Sequence, residues 1–161
     1  MPGDITIYAD GAASGNPGPG GYGVVLISGP HRLEKSEGFR LTTNNRMELM
    51  GVIVGLESLR IPGSNVIVYT DSRYVADAVE KGWLFQWESK SFKKKKNSDL
   101  WIRFLKVYRR HKVKFKWIRG HNNNKENERC DRLAVEAYNM PQLSEDKGYK
   151  PGEEKEELFS E

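Results

Sequence analysis

Four acidic residues lie at positions where a carboxylate is hard to explain as ordinary surface. Asp10 ends an alternating strand pattern, and Asp71 ends a second, apolar strand pattern. Glu48 falls inside an almost wholly apolar helical stretch, and Asp131 falls near the start of the last helical stretch. Carboxylates that point inward repel one another and lose hydration, so they require a cationic partner. A pair of hard divalent ions is the simplest such partner, and it indicates phosphate chemistry.

Each of these acids has a simpler interpretation when it is taken alone. A strand-end Asp is commonly a turn or cap residue. Glu48 could form a salt bridge with Arg46, and Asp131 could be an exposed helix acid. The hypothesis of a metal site therefore depends on all four acids together.

The basic residues are concentrated in one part of the chain. The net charge is +4, but residues 81–119 contain 14 Lys or Arg and two acids, which leaves 12 basic and 20 acidic residues elsewhere. Trp83, Trp87 and Phe92 lie among these cations, close to a run of four lysines. Cations and aromatic rings together suit the phosphates and sugars of nucleic acid. The alternative is an ordinary solvated basic face.

The length of 161 residues predicts one domain with a substantial core. No apolar run approaches the roughly 20 residues of a membrane-spanning helix, and no secretory signal precedes the first strand pattern. The single cysteine, Cys130, excludes an internal disulfide and fits a reducing compartment. We therefore expect a monomeric cytosolic protein that makes no membrane contact.

Hydrophobic periodicity predicts an α/β fold in which a mixed five-stranded sheet is flanked by helices. The first three strands are expected to form an antiparallel meander, with a tight glycine-rich loop at residues 11–23. Arg46 is expected on the solvated side of the first helix, and Trp101 and Trp117 in the core. The predicted strands are residues 4–10, 24–27, 37–42, 66–70 and 113–117, and the predicted helices are 44–60, 72–81, 98–111 and 127–139.

Composition also predicts how the chain is divided. Residues 1–140 are expected to form the domain, and residues 81–97 a basic protrusion from it. Residues 141–161 are rich in Glu, with Pro and Gly nearby, and they are expected to form a flexible acidic tail without chemistry.

Four ordered motifs resemble those of the type 1 ribonucleases H, specifically the bacterial ribonuclease HI family. The resemblance spans residues 4–139, and it implies a ribonuclease H-like fold. It also implies an endonuclease that hydrolyses the RNA strand of RNA–DNA hybrids and leaves 5′-phosphate and 3′-hydroxyl ends. The motifs are residues 10–12 with 15–23, residues 43–49, residues 70–72, and residues 120–121 with 127–131.

The resemblance implies a role for each acid. Asp10, Glu48, Asp71 and Asp131 would hold two Mg²⁺ ions, with Mn²⁺ as an alternative metal. One ion would activate the attacking water and the other would stabilise the leaving 3′ oxygen. His121 matches a loop histidine that assists proton transfer or product release.

The resemblance also implies contacts with the hybrid. Asn16, Asn44 and Asn45 would contact the RNA 2′-hydroxyls, although helix capping is an alternative role for Asn44 and Asn45. Thr43 would bind a DNA phosphate, together with Asn97. The remaining contacts on the DNA side are Tyr74, Trp83 and Trp87 in an aromatic channel, and Lys93, Lys94, Lys95 and Lys96 in the protrusion.

Arg73 stands where relatives often have Gln, so its contact with a base or a 2′-hydroxyl is left open. Three other functions are considered. A binding module without catalysis would not need all four acids. A recombinase or a Holliday-junction resolvase of the same broad fold would lack the motifs at residues 15–23 and 43–49. A reverse-transcriptase fragment is less favoured, because Met1 lies so close to the first strand.

Overall fold

The structure is a computed structural model, and it describes residues 4–120 and 123–151. Within these residues it contains five strands and five helices. In chain order they are β1 (Asp4–Ala13), β2 (Gly18–Ser28), β3 (His31–Thr42), α1 (Asn44–Glu57), β4 (Asn65–Thr70), α2 (Arg73–Glu80), α3 (Trp83–Ser89), α4 (Ser98–Tyr108), β5 (Lys112–Trp117) and α5 (Lys125–Tyr138).

The five strands form one mixed sheet in the order β3-β2-β1-β4-β5. The β1–β2 and β2–β3 pairs are antiparallel, whereas β1–β4 and β4–β5 are parallel, which confirms the predicted α/β architecture. In the β1–β4 pair, Tyr8 is opposite Tyr69. Asp10 lies two residues after Tyr8, and Asp71 lies two residues after Tyr69. The parallel pairing therefore brings both acids to the same end of these two strands.

The stretch predicted as a glycine-rich loop is mostly strand. β1 continues to Ala13 and β2 begins at Gly18, so only residues 14–17 form the turn between them. The glycines of β2 let α5 approach closely, because a Cβ atom on Gly23 would overlap the carbonyl oxygen of Cys130. The prediction of a loop was wrong because glycines have no side chains and therefore show no hydrophobic period. Glycine is needed here because α5 occupies the space that side chains would fill.

The helices cover the two faces of the sheet unequally. α1 packs on β1 and β2 and also against α4, while α5 packs on β1, β2 and β3. The core between the sheet, α1 and α4 includes Ile7, Leu49 and Trp101, all fully buried. Because α1 lies between the sheet and α4, nearly every residue of its first three turns is buried, and the carboxylate of Glu48 is among them.

Two side chains lie elsewhere than predicted. Trp117, predicted as core, is 39% exposed, and the guanidinium of Arg73 lies over its ring at 3.9 Å from the centroid. Arg46, predicted as solvated, is 1% exposed because it pairs with Asp99 and Asp146 from distant parts of the chain.

Residues 141–151, the C-terminal segment, pack against the domain. Ser144 forms a bridge with Phe39 of β3, and its N–H donates to the carbonyl of Gly38 at 2.9 Å. This segment therefore differs from the flexible tail predicted from composition, and residues 152–161 lie outside the described residues. In the part of the chain that is described, no helix combines the length and the apolar character that crossing a membrane requires.

Candidate active site

Three carboxylates meet near the C-terminal ends of the adjacent strands β1 and β4. Asp10, Glu48 and Asp71 each offer an oxygen, and these oxygens lie within 4.8 Å of one another. Asp10 is 6% exposed and Glu48 is 8% exposed, while Asp71 is half-buried. We call these three residues the carboxylate cluster. Three hard oxygen donors at this separation are the ligand chemistry of divalent cations such as Mg²⁺.

One backbone amide ties the first two acids together. The N–H of Gly11 donates to Oδ1 of Asp10 at 2.9 Å, and it also donates to the carboxylate of Glu48. The end of β1 is thereby fixed against the second turn of α1.

Asp71 is held by the elements on both sides of it. Ser72 caps α2, since its Oγ accepts from the N–H of Val75 at 3.2 Å. From β5, Nε1 of Trp117 donates to the carbonyl oxygen of Asp71 at 2.9 Å. Gly120 lies close to the carboxylate, and a Cβ atom there would come within 2.8 Å of Oδ2 of Asp71. A residue with a side chain at position 120 would therefore displace the carboxylate.

The electrostatics of the cluster favour a bound cation. Burial raises the pKa of Asp10 to about 7, opposed by a hydrogen bond with Glu48 and reinforced by the charges of Asp71 and Asp131. Burial also raises the pKa of Glu48 well above its ordinary value, and the hydrogen bond with Asp10 raises it further. Without a cation, these two carboxyl groups retain a proton between them near neutral pH. A divalent ion relieves the same repulsion, so the residues present fit such an ion.

The fourth predicted acid lies near the cluster but outside its closest contacts. Asp131 is half-buried on α5, the helix that packs on β1, and its charge raises the pKa of Asp10. His121, the predicted loop histidine, lies outside the described residues. Its neighbour Gly120 is described, and it adjoins Asp71.

The asparagines predicted to contact RNA lie in the β1–β2 turn and at the start of α1, next in the chain to the elements that carry Asp10 and Glu48. Oδ1 of Asn16 accepts from the N–H of Asn44 at 3.0 Å, and Oδ1 of Asn44 accepts from the N–H of Ala13 at 2.6 Å. These bonds join the β1–β2 turn to the start of α1. Asn45 is exposed next to them.

The alternative of helix capping by Asn44 or Asn45 is wrong. The N-cap of α1 is Thr43, whose Oγ1 accepts from the N–H of Arg46 at 3.3 Å. The amide groups of the two asparagines lie within the first turn, where they are not needed to cap it.

The side chains predicted to contact DNA lie on α2, α3 and the start of α4. Asn97 is buried, and its Nδ2 donates to the hydroxyl of Tyr74 at 3.0 Å. Nε1 of Trp101 donates to the same hydroxyl at 3.0 Å, and the ring of Trp87 packs edge-on against Trp101 with centroids 5.8 Å apart. The predicted aromatic channel is thus anchored in the core by Trp101.

Cations border these rings in the basic protrusion. Nζ of Lys81 lies 5.3 Å from the ring centroid of Trp83, and Nζ of Lys95 lies 5.1 Å from that of Trp87. The predicted helices omit α3, the helix that carries both tryptophans. The lysine run is mostly exposed, with Lys93, Lys94 and Lys95 at the surface and Lys96 half-buried.

The turn after α3 has an unusual backbone. Ser91, Phe92, Lys94 and Asn97 all have φ between 54° and 61°, a region that residues with a Cβ atom rarely adopt. A backbone N–H···O bond of 2.8 Å from Phe92 to Trp87 helps to hold this shape. Left-handed residues concentrated in one surface segment are typical of sites where geometry serves binding.

Sequence reasoning missed two features of the site. Gly120 has no local signal, because its closeness to Asp71 depends on how β5 ends. The ion pairs of Arg46 had one signal, an arginine in an otherwise apolar helix, but nothing local indicates Asp99 or Asp146 as partners.

Comparison with known proteins gives the same assignment as the motifs. The sequence profile of the RNase H family matches residues 2–139. The chain is 56% identical over 151 residues to Ribonuclease H of Trichodesmium erythraeum (strain IMS101), which covers 91% of this chain and 96% of that protein.

Two solved structures are similar in fold. LC9-RNase H1, described as a type 1 RNase H with the type 2 active-site motif, gives a TM-score of 0.77 at 29% identity, covering 96% of this chain and 81% of that one. LC11-RNase H1, solved in complex with an RNA/DNA hybrid, gives a TM-score of 0.67 at 28% identity. The match covers 83% of this chain and 96% of that one. These matches confirm the resemblance seen in the motifs: the chain belongs to the RNase H family.

Proposed function

We propose that this protein is an endonuclease that hydrolyses the RNA strand of RNA–DNA hybrids and leaves 5′-phosphate and 3′-hydroxyl ends. The carboxylate cluster carries this proposal, because Asp10, Glu48 and Asp71 each offer an oxygen within 4.8 Å of the others. Family membership and the hybrid-bound structure of LC11-RNase H1 support the choice of substrate.

The acids would hold the catalytic metal. We assign this role to Asp10, Glu48, Asp71 and Asp131, with Mg²⁺ as the preferred ion and Mn²⁺ as a substitute. When bound, two such ions supply an activated water and stabilise the departing 3′ oxygen. The Gly11 amide keeps Asp10 and Glu48 aligned, and the indole of Trp117 keeps the Asp71 turn in place. His121 would assist proton transfer or product release from the loop after Gly120.

Recognition of the hybrid is divided between two surfaces. Asn16, Asn44 and Asn45 would contact RNA 2′-hydroxyls, which both donate and accept hydrogen bonds and distinguish RNA from DNA. On the other side, Thr43 and Asn97 would bind a DNA phosphate. The basic protrusion and the aromatic channel would follow the rest of the DNA strand, with Tyr74, Trp83 and Trp87 against its sugars and lysines near its phosphates. Arg73 would extend this contact from its position over Trp117.

Cleavage of a labelled hybrid in Mg²⁺ tests the function, with single-stranded RNA, duplex RNA and duplex DNA as competing substrates. We expect cleavage of the RNA strand of the hybrid alone. Asp10→Asn should abolish cleavage while leaving folding intact and hybrid binding largely so. Absence of hybrid cleavage, or equal cleavage of duplex DNA, would contradict the proposal.

We also propose that the protein acts as a monomer in the cytoplasm. The exposed large apolar side chains are dispersed over several elements, as is usual for surfaces that do not self-associate. Cys130 is a buried free thiol, which fits a reducing compartment. Light scattering after gel filtration should give a single-chain mass, and a dimer mass would refute the monomer. The exposed apolar residues are Leu33, Leu41, Ile61, Trp83, Ile102, Trp117 and Met140.

A further inference from the structure

A buried arginine connects the C-terminal segment to the domain. Nε and Nη2 of Arg46 donate to the two oxygens of Asp146 at 2.7 and 2.9 Å. Nη1 and Nη2 donate to Asp99 at 2.9 and 2.8 Å. The side chain of Asp146 is only 2% exposed, whereas that of Asp99 is 45% exposed. Both carboxylates therefore neutralise Arg46, and Asp146 is the partner that does so inside the protein, away from solvent.

The same arginine contacts a residue of the proposed DNA surface. Nη1 of Arg46 donates to Oδ1 of Asn97 at 3.2 Å, and Nδ2 of Asn97 donates to the hydroxyl of Tyr74 at 3.0 Å. Asp146, Arg46, Asn97 and Tyr74 thus form one continuous chain of hydrogen bonds, which we call the Arg46 network. Its far end is formed by two of the side chains proposed to contact the DNA strand.

The network also reaches the cap of α1. Oγ1 of Thr42 donates to Oδ2 of Asp146 at 2.7 Å, and the next residue, Thr43, is the N-cap of α1. Of the two proposed phosphate ligands, Asn97 is therefore contacted directly by the Arg46 side chain, whereas Thr43 is reached only through its neighbour Thr42. The carboxylate cluster shares none of the hydrogen bonds described for this network.

The orientation of the Asn97 amide depends on its partners. Asn97 has a left-handed backbone (φ 61°), and its side chain does not cap α4. Because Arg46 offers a donor to Oδ1, the NH₂ group is directed to Tyr74. If Arg46 lost Asp146, its buried charge would retain only the partly exposed Asp99, and it would shift towards that carboxylate and away from Asn97.

We propose that Asp146 is a positioning residue for hybrid binding, acting through Arg46 on Asn97 and Tyr74. This inference rests on the proposed function, since it assigns the C-terminal segment a part in the DNA side of that site. Under this proposal, loss of Asp146 weakens binding of the hybrid and leaves the rate of turnover of bound substrate unchanged.

The test compares Asp146→Asn with Glu145→Gln, a matched removal of one charge at the exposed neighbouring position. Affinity for a fluorescent hybrid is measured by anisotropy in EDTA, and KM and kcat are measured in Mg²⁺, all at a temperature where circular dichroism shows each variant folded. We expect Kd and KM to rise about tenfold for Asp146→Asn, with kcat within about twofold of the wild type. Glu145→Gln should change neither. An unchanged Kd, or a loss confined to kcat, would overturn the proposal.

A double-mutant cycle separates positioning from general destabilisation. In an Asn97→Ala background, Asp146→Asn should weaken binding by less than about twofold, because the residue it positions is absent. A full tenfold loss in that background would show that Asp146 does not act through Asn97.

If Asp146→Asn does not fold, Thr42→Val removes one hydrogen bond from Asp146 and should raise Kd about threefold. An unchanged Kd for that variant would overturn the proposal as well. Because the anisotropy assay needs no cleavage, this inference and the proposed nuclease activity can fail independently.

Discussion

At the scale of single residues, ionisation of Asp10 and Glu48 lowers the stability of the folded protein. Both carboxyl groups are buried, and both hydrogen-bond the same Gly11 amide. Their raised pKa values mean that ionisation is less favourable in the folded chain than in the unfolded one. Under the proposed function, a divalent cation held between these carboxylates would offset this penalty.

Stability of the metal-free protein should therefore depend on pH through Asp10. The folded pKa of about 7 lies above the ordinary value of 3.8, so protonated Asp10 stabilises the fold, and this stability is lost as the pH rises through about 7. Asp10→Asn should raise the free energy of unfolding at pH 8 in EDTA by about 2–4 kcal/mol and have a much smaller effect at pH 4.

Urea unfolding at the two pH values measures this difference. Asp4→Asn, at the exposed start of the same strand, is the matched control and should change stability little at either pH. Mg²⁺ should stabilise the wild type at pH 8 more than it stabilises the Asp10→Asn variant. An equal effect of Asp10→Asn at pH 4 and pH 8 would contradict the shifted pKa.

At the scale of elements, α3 and the left-handed turn after it place a cation on an anchored ring. The turn sets Lys95 beside Trp87, which is itself packed on Trp101. Side chains that are held in position before binding lose less conformational entropy when they bind.

The basic protrusion should contribute to hybrid affinity by neutralising phosphates. Lys94→Ala with Lys95→Ala should weaken binding and reduce the slope of log K against log salt by about 1 for each phosphate that is no longer neutralised. Lys112→Ala with Lys114→Ala, on β5, removes two exposed lysines from the strand end remote from the cluster and serves as the control. An equal change in salt slope for both pairs would assign the lysine run to an ordinary solvated face.

The sequence predicted elements best where side chains alternate or repeat. The first part of β1 follows from a period-two pattern, and β4 and α1 follow from their apolar runs. The start of β2 could not be predicted this way, because its glycines have no side chains to show a period. The motif resemblance singled out four acids, of which the structure brings Asp10, Glu48 and Asp71 together. Neither motif nor periodicity could show that Arg46 is buried, since its partners lie about 50 and 100 residues away.

At the scale of the whole molecule, the C-terminal segment completes the domain beyond residue 140. It pairs with the edge strand β3 through Ser144 and places Asp146 against Arg46. The domain is therefore longer than the composition of the chain suggests.

Truncation should show where the folded unit ends. Removal of residues 141–161 leaves Arg46 buried without Asp146 and should destabilise the protein by about 3 kcal/mol. Removal of residues 152–161, an acidic stretch whose composition predicts little packing, should change stability by less than about 0.5 kcal/mol. Urea midpoints with unchanged m-values measure both effects, and equal stability of the two truncated proteins would refute a structural role for the C-terminal segment.

The parallel pairing of β1 with β4 has a consequence for misfolded and partly folded molecules. Tyr8 and Tyr69 are neighbours in the sheet but about 60 residues apart in the chain, so this contact closes a long loop and forms only with much of the tertiary structure. Asp10 and Asp71 lie far apart in any intermediate without it. Such an intermediate lacks the assembled carboxylate cluster, so a chain at that stage of folding cannot hold a divalent ion between these acids.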